Sequence, residues 1–173
     1  ITYDNDMIQH IGKQNYRILV SILTDLQNDV VETYKKIPLS GNFISFRGSM
    51  VNWCMIGRDA TNDMRRQFAR MDDGLRKSLK AKLDDEIKTG GIENMTTSMG
   101  GSTSIDIYPS GWDKTYSLKH VQKYQSVFFI GDKCDPGGND YEIYSHPDVI
   151  AYKTSGPECT RQIIDDIVKR ISE

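Results

Sequence analysis

The chain has 173 residues, a net charge of −2, 38% hydrophobic and 27% charged residues. That is ordinary for a globular protein of one domain or two small ones. It excludes a general nucleic-acid or membrane surface, so any anion must be met by a local cluster of cations. Cys54, Cys134 and Cys159 are far apart with no Cys-x-x-Cys, and His10, His120 and His146 are scattered. This argues against a disulfide framework or a zinc site and fits a reducing, cytosolic compartment.

The sequence opens mid-pattern on "ITYDND" without Met, and reads as cut from something longer. No run is long enough to span a membrane, and no signal-peptide pattern is present. Residues 14–36 read as a long helix with Ile18, Ile22, Leu26 and Val30 at every fourth position and Leu19 and Leu23 beside them, ended by Pro38. "NFISFR" (42–47) and "VNWCMI" (51–56) read as a hairpin around "GSM". Asp59 or Thr61 can cap a helix over 61–72. After Gly74 a second helix carries Leu75, Leu79, Leu83 and Ile87 and stops at "TGG". "IENMTTSM" and "GSTSIDIYP" read as strands. In the second, Thr103, Ile105 and Ile107 alternate with Ser102, Ser104 and Asp106.

The texture changes at "PSGWDK" (109–114). Beyond it the expectation is a helix over 113–124, a strand over 126–130, an acidic loop, "YEIY", a strand over 149–153 and a helix over 157–171. Alternating helices and short apolar strands predict a parallel sheet. The chain therefore divides into an α+β part, about 10–111, and an α/β part after it, with no internal repeat and no low-complexity segment.

Several residues could carry chemistry. The loop "GDKCDPGGNDYE" (131–142) follows the apolar run "SVFFI" and holds Asp132, Asp135, Asp140 and Glu142. Strand ends of open α/β sheets are where ligands bind, and Mg²⁺ takes one or two carboxylates and keeps its waters. As a bare pattern the run also suits a simple turn. Arg47, Arg58 and Arg65 stand at strand ends and one helix start. Converged, they would clamp phosphate; unconverged, they are ordinary surface arginines. Ser104 and Asp106 share a strand face, suited to sugar hydroxyls or simply to solvent. Lys114, at a helix start, can balance a phosphate or an aspartyl cluster, or face solvent.

The stretches "NFISFRGSMVN", "IGRDATNDMRRQF", "GGSTSIDIYPSGWDK" and "FFIGDKCDPGGNDYEIYSHPDV" occur in order. On them the chain closely resembles the eukaryotic-type phosphomannomutases of the haloacid dehalogenase superfamily, over nearly its whole length. The resemblance implies an α/β fold: a Rossmann-like core, here only its C-terminal part (112–173), and an α+β cap on an antiparallel sheet (10–111). Residues 1–9 would connect the two. It implies interconversion of mannose 6-phosphate and mannose 1-phosphate for GDP-mannose synthesis, through an aspartyl phosphate and a hexose 1,6-bisphosphate activator, with Mg²⁺, a hexose phosphate substrate and a cytoplasmic homodimer formed by the cap. Arg47, Arg58 and Arg65 fall on the cap arginines that grip the distal phosphate, and Ser104 and Asp106 on substrate contacts. Asp132 falls on a core Mg²⁺ ligand, and Lys114 on the superfamily's motif lysine. Asn139 and Asp140 match "GGND" and brace the loop, while Asp135 and Glu142 take no direct role.

The sequence departs from the family pattern at Gly48, where Asn is usual, at "NWCM" in place of an "NVSP"-like segment, and at Ser102, where a larger residue is common. One extra residue lies between Arg65 and Ser104. The family's nucleophile and general acid/base stand in an Asp-x-Asp-Gly-Thr motif, which is absent here. "YDNDM" (3–7) has the carboxylate spacing but no Gly-Thr, so it is not taken as the nucleophile. The chain by itself is expected to be inactive, a part of a full enzyme. Two other readings are a sugar-phosphate phosphatase of the superfamily and a non-catalytic binding or dimerisation module that uses the cap.

Overall fold

In a computed structural model of the chain, described for residues 6–172, two compact units appear, Ile1–Ser110 and Gly111–Glu173. The first contains α1 (Met7–Ile11), α2 (Lys13–Thr33), β1 (Ile44–Phe46), β2 (Val51–Cys54), α3 (Asn62–Met71), α4 (Leu75–Thr89), β3 (Met95–Gly100) and β4 (Ser104–Pro109). Its four strands form an antiparallel sheet in the order β1-β2-β4-β3.

Most expected elements are present, and the differences have local causes. Residues 1–5 of the expected connection, and with them most of "YDNDM", lie outside the described residues. Asp6 caps α1, accepting from Ile8 N at 2.8 Å and Gln9 N at 3.3 Å. Met7 is fully buried and donates its N–H to Gly48 O at 2.9 Å, so this short helix packs within the first unit. Helix α2 ends at Thr33 rather than 36, with Tyr34 as its cap. Ile37 precedes a proline, which disfavours helical backbone there. The fully buried line of α2 is Leu19, Leu23, Leu26 and Val30. A stripe at every fourth residue drifts around a helix of 3.6 residues per turn, so burial follows alternating steps of four and three. Ile18 and Ile22 instead lie against Gly90, where a Cβ would meet them at 3.1 and 3.4 Å.

Thr61, not Asp59, caps α3, accepting from Met64 N. Strand β4 begins at Ser104, after a turn in which Gly101 has φ 50°. Thr103 is therefore a buried turn residue and not part of the alternation. The inner face of the sheet carries Val51, Trp53, Ile105 and Ile107, all with no exposed surface. Helices α2 and α4 cover this face: Trp53 Nε1 donates to Gln27 Oε1 at 2.8 Å, and Thr97 Oγ1 donates to the Asp84 carboxylate.

The second unit contains a 3₁₀ helix (Lys114–His120), β5 (Phe128–Gly131), α5 (Tyr141–Tyr144), β6 (Ile150–Lys153) and α6 (Pro157–Ser172). Strands β5 and β6 pair in parallel, as the alternation of elements predicts. The expected α-helix over 113–124 is the shorter 3₁₀ turn instead. It has no buried residue, so no apolar stripe rewards a longer helix.

Candidate functional site

Pairing across the first unit's sheet places Ser45, Asn52, Asp106 and Ser98 opposite one another in a single row. Directly opposed residues share a face, and this is the face away from Trp53. The next row is Cys54, Ser104 and Gly100. Asn52 Nδ2 donates to Asp106 Oδ1 at 2.6 Å. A Cβ at Gly100 would lie 2.8 Å from the Asp106 carboxylate, so the carboxylate lies over a strand position without a side chain. Ser104 Oγ donates to Gly100 O at 2.8 Å and keeps its lone pairs for a further donor. Ser104 and Asp106 thus stand side by side, as the strand alternation implied.

The arginines are arranged as a pair and a single residue. Arg65, half-buried on the first turn of α3, donates Nη2 to Arg58 O at 2.7 Å, Nε to Ala60 O at 3.1 Å and Nη1 to Thr103 Oγ1 at 3.0 Å. Arg58 is exposed and follows Gly57, whose φ is 84° and whose Cβ would lie 2.3 Å from Gly41 O. Only glycine passes that point, and the tight crossing determines where the chain emerges at Arg58. Arg47 is also exposed, but it follows β1 at the Val51 end of β2, whereas Arg58 follows the Cys54 end. Three strand steps, roughly 10 Å of backbone, separate those ends. Arg47 therefore does not join Arg58 and Arg65 at the backbone; the polar row lies between them.

In the second unit Gly131 ends β5, and the acidic loop follows. Asp140 is 3% exposed. Its Oδ2 accepts from Lys133 N at 3.0 Å and Asp132 N at 3.2 Å, and its Oδ1 accepts from Lys114 Nζ. Burial pushes the Asp140 carboxyl up, but the Lys114 hydrogen bond, the Lys133 and Asp132 N–H groups and the lysine's charge outweigh it. The group is held below its ordinary value. The loop needs two close approaches. A Cβ at Gly131 would lie 2.7 Å from Asp140 Oδ2, and one at Gly138 would lie 2.1 Å from Lys133 O.

The loop's other carboxylates are sorted by their partners. Asp135 pairs with Lys153 Nζ at 2.7 Å. Asp132 is exposed directly beyond the strand end, and Glu142 is exposed at the start of α5. Asn139, directly before Asp140, is half-buried. Among the described residues no three His, Cys, Asp or Glu side chains gather around one point. A site here would offer Mg²⁺ the single Asp132 carboxylate. A cation that keeps several waters and binds substrate phosphate tolerates such a sparse set.

Two residues of this arrangement were not legible in the sequence. Asn52 sits in "VNWC" as an ordinary strand residue, and only pairing with β4 sets it on Asp106. Its signal was the polar residue alternating with Val51 and Trp53. Thr103 looked like the apolar parity of β4, whereas the turn at Gly101 releases it to meet Arg65.

A family model described as "Eukaryotic phosphomannomutase" matches residues 2–170. The chain is 34% identical over 168 residues to the phosphomannomutase of Drosophila melanogaster, covering 95% of this chain and 64% of that protein. It is 37% identical over 157 residues to that of Schizosaccharomyces pombe, covering 88% and 58%. The chain thus spans about three fifths of the length of these relatives. Among solved structures, an N-terminally truncated IMP-nucleotidase of Plasmodium falciparum superposes with a TM-score of 0.55 at 13% identity, over 96% of this chain and 40% of that one. An IMP-bound form of the truncated nucleotidase also gives 0.55. That likeness is one of fold alone: an α/β chain with an antiparallel sheet in its first unit and a parallel strand pair in its second.

Proposed function

Because the chain belongs to the eukaryotic phosphomannomutase family, we propose that the protein interconverts mannose 6-phosphate and mannose 1-phosphate by phosphoryl transfer through a hexose 1,6-bisphosphate, in the supply of GDP-mannose. The observation that supports this reading is the polar sheet face of the first unit. Arg58, and Arg65 bonded to the Arg58 carbonyl, follow one end of β2 and Arg47 lies at the other, with Ser104 and Asp106 on the strand face between them. Arg58 and Arg65 are assigned to the phosphate distal from the reaction. Guanidinium forks match phosphate oxygens and stay charged at any working pH. Ser104 and Asp106 are assigned to the sugar hydroxyls, the first as an acceptor and the second with the Asn52 bond orienting it. Arg47 meets charge from the opposite side. A bisphosphate must present each end in turn, and a site that grips whichever phosphate is distal serves both half-reactions.

In the second unit Asp132 is assigned to Mg²⁺, which when bound neutralises charge on the transferring phosphoryl group. Lys114 brings a cation to the strand end. Asp140 holds that cation and the Asp132–Lys133 backbone together, and Asn139 supports the same loop. No Asp-x-Asp-Gly-Thr run occurs in the 173 residues, so the roles assigned here are binding, orientation and charge support. Residues 10–111 are assigned as the cap and as the surface of a cytoplasmic homodimer, and 112–173 as core.

Replacing Arg58 by Gln in the intact protein should lower kcat/KM for mannose 1-phosphate by about thirtyfold, the value of one charged hydrogen bond to phosphate. Near-normal exchange would remove the assignment. Phosphate release faster than isomer exchange would make the protein a phosphatase, and a stable dimer that binds sugar phosphate without turnover would make it a binding module.

A further inference from the structure

We propose that Thr103 is the positioning residue for the phosphate-binding guanidinium of Arg65. This inference rests on the function proposed above.

Arg65 makes three hydrogen bonds. Two go to carbonyls of its own turn, Ala60 O and Arg58 O, five and seven residues away. These orient the guanidinium relative to α3 and Arg58 but not relative to the sheet. The third, to Thr103 Oγ1, crosses 38 residues of sequence and ties Arg65 to the residue next to Ser104. Thr103 is itself buried and held on two sides. It is 3% exposed, it follows a left-handed turn at Gly101, and its hydroxyl is also 3.4 Å from the thiol of Cys54, which is 1% exposed and pairs with Ser104 in the sheet. The hydroxyl therefore sets the distance between the arginine and the sugar-binding strand.

A guanidinium has five N–H donors, and three are used here. Two remain for a ligand. Their direction depends on the three that are used, because the group is planar and rigid. Loss of the Thr103 bond would leave Arg65 charged and still on its turn, but misdirected, which weakens binding more than it slows chemistry.

The test is steady-state kinetics on the intact protein. Thr103→Val keeps the volume and removes the acceptor. It should raise KM for mannose 1-phosphate about tenfold, with kcat changed by less than about threefold. Thr103→Ser, which restores the hydroxyl, should bring KM back to within about twofold of wild type. In an Arg65→Lys background Thr103→Val should add less than about twofold, because the partner is already gone. An unchanged KM, a loss confined to kcat, or full additivity in the double variant would each overturn the inference. If Thr103→Val does not fold, the wild-type protein still decides the matter: the Arg65 Nη1–H protons, one of which donates to Thr103 Oγ1, should exchange slowly by low-temperature NMR before ligand is added and show a nuclear Overhauser contact to the Thr103 side chain, and fast exchange without that contact overturns the proposal. A wild-type protein that exchanges no isomers overturns the function and not the positioning. Calorimetric Kd values for mannose 1-phosphate then replace KM in the same comparison.

Discussion

The carboxylate of Asp140 has three donors around it and almost no exposed surface. Replacing it by Ala leaves two backbone N–H groups and the Lys114 ammonium without their acceptor. The expected cost is about 2–3 kcal/mol, since charged hydrogen bonds are involved but Lys114 stays half in water; a urea titration of the variant against wild type measures it. Its folded-state pKa is depressed. The stability it contributes is therefore fully present above its unfolded value, about 3.9, and is lost as pH falls through the lowered folded value. The difference between wild type and Asp140→Ala should accordingly be constant from neutral pH down to about 5 and shrink only in more acidic solution. The family resemblance singled out Asp140 as the brace of "GDKCDPGGNDYE" and set Asp135 aside, but which groups each carboxylate meets was invisible in the string. All its carboxylates are equivalent in the string, and the difference lies in Lys114 and Lys153, which are remote in sequence.

At the scale of elements, the inner face of the first unit's sheet depends on one polar contact among apolar ones. Trp53 is fully buried, and its indole N–H reaches Gln27 of α2, whose amide in turn donates to Met55 O at 3.1 Å. Gln27→Leu would leave a buried donor and a buried acceptor unpaired. A loss of about 1–3 kcal/mol is expected, seen as a lower midpoint of thermal unfolding, with the Trp53→Phe, Gln27→Leu double variant recovering part of it. The elements themselves were largely legible. Helices α2 and α4 announce themselves by apolar spacing, and β1 with β2 by a short turn between apolar runs. Element ends were less legible, because caps and turns decide them. The 3₁₀ helix after "GWDK" shows the same limit: composition allows an α-helix there, and only the lack of anything to pack on shortens it.

The two units differ in how completely their strands are covered. In the first, β2 is buried at every position, and β4 at five of six. In the second, the β5 residues Phe128, Phe129 and Ile130 are half-buried and Ile150 of β6 is 47% exposed, as are Ile164, Val168 and Ile171 of α6 at 46%, 51% and 68%. Two-stranded sheets have little stability of their own, and parallel sheets are ordinarily buried on both faces. Hydrogen exchange of this 173-residue chain should therefore show the amides of β2 and β4 protected well beyond those of β5 and β6. Equal protection in both sheets would contradict the assignment of Gly111–Glu173 as a part of a larger core.

By itself the sequence determined the family, most of the elements and their order, and which residues are proposed to meet phosphate, sugar and metal. Motifs such as "GGSTSIDIYPSGWDK" are local strings, and apolar periodicity is a local property, so both can be read without a fold. Tertiary structure alone decided which of those residues act on one another. Arg65 meets Thr103 across 38 residues, Asn52 meets Asp106 across 54, and Lys114 meets Asp140 across 26. Hydrogen bonds extend about 3 Å, and only strand register and turn geometry bring such distant residues within that range.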